Sequence, residues 1–174
     1  ERNVMRADPD TQVMLYANND YITVRNNVFD GTLKPGVTAV RITRRGVEPP
    51  PTGYNLFNNT FYTGAGSGGM TCVQVDGVAQ QTTVRNNLGS IASGGLMIGD
   101  GGTGLVESNN LLLANAGFVG AAAGDFRPSP GSPAIDAGMV LPQVPEDKMR
   151  TRRNVNGDGR NGAEPDAGAF EYAP

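Results

Sequence analysis

Four stretches decide how this chain folds: ITVRNNVF (Ile22 to Phe29), YNLFNNTF (Tyr54 to Phe61), TTVRNNLG (Thr82 to Gly89) and GLVESNNLLL (Gly104 to Leu113). Each alternates apolar and polar residues, reaches two consecutive asparagines and continues with an apolar residue. The pairs are Asn26-Asn27, Asn58-Asn59, Asn86-Asn87 and Asn109-Asn110, spaced 32, 28 and 23 residues apart. A second short run precedes most copies: VMLYAN from Val13, TAVRIT from Thr38, TCVQVDG from Thr71 and GGLMIGDG from Gly94. Short apolar or alternating runs that end in turn formers read as strands. One repeat is therefore strand, turn, strand, asparagine corner, short strand, loop. Repeats of about 20–30 residues built from short strands are the coils of a solenoid, with equivalent strands stacked in parallel about 4.8 Å apart.

The paired asparagines suit such a corner. One of each pair takes the left-handed conformation that the bend needs. Its partner points inward, and its amide hydrogen-bonds the same group one coil above and below, which satisfies polar groups that burial would orphan. The expected structural ladder comprises Asn26, Asn27, Asn58, Asn59, Asn86, Asn87, Asn109 and Asn110. Ile22, Val24, Leu56, Val84 and Val106 are expected to stack beside it. A surface row of asparagines that binds sugar is the competing reading. The ladder fits better, because each pair ends an apolar alternation, where a corner belongs.

Composition agrees. The 174 residues suit one domain, and 25 glycines with 16 asparagines anticipate many tight turns rather than helices. Fourteen basic against 17 acidic residues leave a net charge of -3. That disfavours a nucleic-acid grip, which needs a basic face. No run approaches the roughly eighteen apolar residues of a membrane-spanning helix. The chain has no histidine and a single cysteine, Cys72, so the commonest general base and thiolate metal clusters are missing. Cys72 lies on an alternating strand and reads as a core residue. The aromatic residues near repeat ends, such as Phe29, Phe57, Phe61 and Tyr62, read as packing rather than as a sugar platform.

Coils are expected over residues 1–113 and an irregular C-terminal cap of the same domain over 114–174. Within the latter, SPAIDAG (Ser132 to Gly138), an Arg- and Gly-bearing segment and PDAGAFEY (Pro165 to Tyr172) together resemble the C-terminal region of secreted bacterial right-handed parallel β-helix proteins. These belong to the pectate-lyase-like superfamily, choice-of-anchor type. The asparagine repeats resemble the coil repeats of the same superfamily. The resemblance implies an all-β, right-handed parallel β-helix of about four coils and a secreted or cell-surface location. It implies no single activity, because lyases, hydrolases, adhesins and structural proteins share the fold.

Three candidate sites follow. NVNGDGR places oxygens at Asn154, Asn156 and Asp158 with the alternate spacing of a calcium loop, although Pro165 stands where such a loop wants a carboxylate. The competing reading is an asparagine-rich turn with no cofactor at all. Asp136 and Asp166, in matching IDAG and PDAG contexts, are either paired catalytic carboxylates or residues that pin the cap. The resemblance favours the pin, with Arg152, Arg153 and Arg160 as partners. Finally, a polysaccharide lyase needs arginines to neutralise uronate carboxylates. Arg25 and Arg85 share one repeat position, with Phe57 between them and Glu107 after them, near Lys34, Arg41, Arg44 and Arg45. The expectation is a non-catalytic structural or adhesive module; the alternatives are the C-terminal part of a polysaccharide lyase or hydrolase, with its active site mostly outside these residues, and a calcium-dependent carbohydrate-binding module. The first coil would present an open edge, so either further N-terminal coils or an end-to-end homo-oligomer is expected to cover it.

Overall fold

A computed structural model describes residues 1–6, 9–17, 20–157, 159 and 163–174. The chain is a parallel β-helix of about four coils, each with three strands in three stacked sheets. Strands are numbered in chain order. The first sheet joins β2 (Thr11–Tyr16), β5 (Val37–Thr43), β8 (Met70–Val75) and β11 (Leu96–Asp100). The second joins β3 (Thr23–Arg25), β6 (Asn55–Phe57), β9 (Thr83–Arg85) and β12 (Val106–Ser108). The third joins β1 (Val4–Arg6), β4 (Val28–Asp30), β7 (Thr60–Thr63), β10 (Leu88–Ile91) and β13 (Leu111–Leu113). Each asparagine pair is the two-residue corner between a second-sheet strand and a third-sheet strand.

Because every coil repeats the same register, like side chains meet in columns inside the helix. Val24, Leu56 and Val84 lie opposite one another. Phe29 and Phe61 stack with ring centroids 5.0 Å apart and planes 12° from parallel. Such a pair contributes about 0.5–1.5 kcal/mol beyond its buried area. The aromatic column stops at Gly89, where a Cβ would stand 2.7 Å from Leu112 Cδ1; Leu112 and Met97 fill that space instead. Cys72 is fully buried in this core, and burial pushes its thiol well above the usual range.

The register corrects two expectations. Glu107, not Val106, lies opposite Val84, and Val106 continues the outward row of Thr83. The outward row of Arg25, Phe57 and Arg85 therefore ends at Ser108 rather than Glu107.

Among the described residues, the C-terminal third leaves part of the last coil open. Leu112, in the inward column of that coil, remains 42% exposed. The region runs along the side instead. A hairpin of β14 (Phe118–Gly120) and β15 (Asp125–Pro128) leads into a strap, 134–147, and a tail, 163–172. The physical cause is the third sheet, which is apolar on both faces: Phe29 and Phe61 point inward, while Val28, Tyr62 and Leu88 point outward. Phe126, Ala169 and Phe170 bury Val28; Ala134 and Ala167 bury Leu88. Tyr62, Phe118 and Phe126 meet edge to face beneath the hairpin. Gly168 fits closely here. Its φ is +94°, and a Cβ would stand 2.8 Å from Thr60 Oγ1 and 2.9 Å from Leu88 Cβ.

Candidate functional site

The corner is the most regular chemical feature of the molecule, and its two asparagines do different work. Asn27, Asn59, Asn87 and Asn110 form the ladder. The Asn27 side-chain amide donates to Asn59 Oδ1 (3.0 Å), Asn59 to Asn87 Oδ1 (3.0 Å) and Asn87 to Asn110 Oδ1 (3.0 Å). Each of these oxygens also accepts the backbone N–H of the asparagine below it, at 2.9–3.1 Å. The side-chain amides of Asn59, Asn87 and Asn110 also donate to the carbonyls of Val24, Leu56 and Val84. The four asparagines thus meet the polar demand of a corner that is otherwise sealed from water.

The ladder has a fifth rung that the repeat reading missed. Asn3 donates from its backbone and side chain to Asn27 Oδ1, at 3.0 and 3.2 Å. Arg2, before it, holds the left-handed corner at φ 62°. The signal was there in ERNVMR, a single asparagine followed by an alternating run. An arginine in the bend hid it.

Asn26, Asn58, Asn86 and Asn109 are not rungs. Their φ values lie between 50° and 56°, which is the left-handed bend itself. This turns their side chains outward onto the C-terminal segment. Asn109 donates to the Ala137 carbonyl (3.5 Å), Asn86 to that of Met139 (2.7 Å) and Asn26 to that of Glu146 (2.8 Å). Asn86 Oδ1 in turn accepts the Met139 N–H at 3.0 Å. Asn58 reaches the returning tail at the Asp166 carbonyl (3.1 Å). The strap therefore runs back along the corner, from the last coil towards the first.

The same strap meets the arginine row at its middle and at Arg25. Phe57 packs against Leu141 and Val144, with Met139 alongside. Arg25 donates to the Gln143 carbonyl and pairs with Glu1. Ser108 Oγ lies 3.4 Å from Met139 Sδ. The neighbouring cations are also engaged: Arg41 with Asp76, Lys34 with Asp10, Arg44 with the Glu48 carbonyl and Arg45 over the Tyr16 ring.

Asp136 and Asp166 come together, but as parts of a buried pin. Asp166 is fully buried; its two oxygens accept the N–H groups of Asp136 (2.8 Å) and Tyr172 (2.6 Å). Arg153, the buried guanidinium, pairs with Glu171 at 3.1 Å rather than with either aspartate. It also donates to Asn26 Oδ1 and to the Asp166 and Gly168 carbonyls. Glu171 further accepts the N–H groups of Asn154, Val155 and Asp166. Its own N–H donates to Asp147, which is 1% exposed. Burial raises both Asp166, to about 7, and Glu171, against the backbone donors that pull them down. Burial lowers Arg153, while Glu171 and the aspartates raise it. Arg152 is exposed, and Arg160 lies outside the described residues.

In the candidate calcium loop, Asn156 Oδ1 accepts the Gly159 N–H at 2.6 Å, which closes a turn. Asn154 sits at φ 72° with its N–H on Glu171. Asp158 lies outside the described residues. Among the described residues, no group of three or more acidic, cysteine or histidine side chains could hold a metal ion.

Comparison with family models, with curated proteins and with solved structures gives no match to this chain.

Proposed function

We propose that the chain is a non-catalytic structural or adhesive β-helix module of a secreted or cell-surface bacterial protein. The observation that carries this reading is the strap. In the row of Arg25, Phe57 and Arg85, which a uronate-binding site would use, Phe57 is buried under Leu141 and Val144 of the same chain, and Arg25 donates to the Gln143 carbonyl. Of the two carboxylates, Asp166 spends both oxygens on backbone N–H groups of the strap and tail, and Asp136 accepts the Gly157 N–H. The secreted location rests on the resemblance of the repeats and of SPAIDAG and PDAGAFEY to secreted β-helix proteins.

A second reading, a polysaccharide-binding module, is favoured by one observation. The outer face of the first sheet is free of the strap and carries Thr11, Thr38 and Thr71 in one row, with Arg41 and Gln74 in the next. Affinity electrophoresis through gels cast with neutral or acidic polysaccharide separates the two. The structural module migrates unretarded in every gel; retardation in any of them selects the binding module. Release of unsaturated uronate products from an acidic polysaccharide, read by ultraviolet absorbance, would overturn both in favour of a lyase.

A further inference from the structure

Each coil turns a second left-handed corner as the chain enters the second sheet. Tyr21, Gly53, Gln81 and Gly104 hold it, at φ 63°, 77°, 53° and 72°. Their register follows from the backbone bonds of Tyr21 to Thr52, Gly53 to Gln80 and Gln81 to Thr103. Glycine adopts this conformation freely, whereas a bulky aromatic residue is strained in it. Burial does not offset that strain, because Tyr21 is 76% exposed. Instead the ring leans on the glycine of the next coil: a Cβ on Gly53 would stand 2.6 Å from Tyr21 Cδ1 and 2.9 Å from Cε1. Two polar side chains grip the backbone beneath the ring. Asp20 Oδ1 accepts the Thr52 N–H at 3.0 Å, and Asn55 Nδ2 donates to the Gly53 carbonyl at 3.3 Å. Thr23, which is exposed, lies opposite Asn55. Among the described residues, Asp20 Oδ2, Asn55 Oδ1 and the Thr23 hydroxyl make no hydrogen bond.

We propose that this corner of the first coil is a sugar subsite: the open side of the Tyr21 ring packs against the C–H face of an uncharged pyranose, and Asp20 Oδ2, Asn55 Oδ1 and the Thr23 hydroxyl bind its hydroxyl groups. The subsite, which rests on the reading of the chain as a polysaccharide-binding module, lies at the corner and not on the first-sheet face. An exposed tyrosine ring is a rigid apolar surface with few torsions to freeze. A pyranose presents the complementary pair, an apolar face with a rim of hydroxyl groups. The two side-chain oxygens beside the ring are acceptors, and a sugar hydroxyl can donate to either. The ligand is uncharged because Asp20 repels a sugar carboxylate, and Arg25, on the same outer face, is already paired with Glu1. Gly53 and Gly104 bring no ring to their corners, which confines the platform to the first coil.

Affinity electrophoresis of the whole chain, in gels cast with hydroxyethyl cellulose, galactomannan or alginate, tests this. Wild type is expected to be retarded by a neutral polymer and to run freely through alginate. Tyr21→Gly keeps the bend, relieves its strain and removes the ring. It is expected to melt close to wild type and to lose about tenfold in affinity. Tyr21→Asn, which also tolerates the bend, is expected to behave alike. Equal retardation of wild type and both variants overturns the subsite and leaves the binding module standing. Absence of retardation by every polymer overturns the module and the subsite together. Retardation by alginate alone overturns the uncharged ligand and the subsite with it. If Tyr21→Gly instead abolishes dilution-dependent self-association while retardation persists, the ring is a contact with a second copy and the subsite falls.

Discussion

At the scale of single residues, adjacent asparagines with identical side chains have separate roles, and substitution separates them. Asn87→Leu removes the acceptor of two Asn59 donors, the backbone and side-chain N–H groups, which are buried. Each orphaned group costs about 1–3 kcal/mol. At about 2–4 °C per kcal/mol for a chain of this size, thermal melting registers the loss plainly. Asn86→Leu acts differently. It forces a branched residue into the left-handed bend, at about 1–2 kcal/mol, and frees Met139 from the corner. Asn86→Gly keeps the bend and loses only the strap contacts. The expected order of melting temperatures is wild type, Asn86→Gly, Asn86→Leu, then Asn87→Leu. An Asn87→Leu melt that coincides with wild type would remove that residue from the ladder.

At the scale of elements, the sequence announces the coils and conceals the strap. A rung must be an asparagine and an inward column must be apolar, so both leave a periodic trace at Asn27, Asn59 and Asn87. The strap and tail follow no period. They are held by backbone carbonyls at Ala137, Met139 and Glu146 and by small residues such as Ala167 and Ala169, any of which reads locally as loop. The last coil misled for a related reason. It has the least partner surface to discipline it, so Glu107 occupies a column that is apolar below and the alternation reads one residue out of step. Of the candidate sites, Asp136 and Asp166 were legible as a pair, but Glu171 as the partner of Arg153 was not, since nothing local marks it. Tight seating of the tail is testable at Gly168. Gly168→Ala places a methyl group against Thr60 and Leu88 at a strongly positive φ. Faster exchange is expected in 165–172, with β8 and β10 retained. Unchanged protection of the tail would mean that it packs against the third sheet more loosely than its contacts imply.

At the scale of the whole molecule, the two ends of the solenoid differ. Met5, Val13, Leu15, Ile22 and Val24 are only partly buried at the first coil, and β2 and β3 have no neighbour on that side among the described residues. The last coil sets Glu107 opposite the apolar column and Asp100 opposite Val75, both exposed. Charge at inward positions discourages edge-to-edge contact. Self-association of this chain is thus expected through its first coil, as a closed pair. Light scattering should find a species heavier than the 18.2 kDa monomer that dissociates on dilution. Glu107→Leu, by making the second end apolar, is expected to extend the pairs into longer assemblies. A monomer at every concentration would show that the first-coil edge is not sticky. The strap bears on size in another way. It meets the corner asparagines of the last, third and first coils in turn, and the tail takes that of the second. A solenoid ordinarily lengthens by duplicating a coil. Here every added coil would bring a bend asparagine with no carbonyl to receive it, unless the strap or tail lengthened in the same event. The C-terminal segment is in effect a tally stick for the coils, and it makes coil number a property on which two distant parts of the gene must change together.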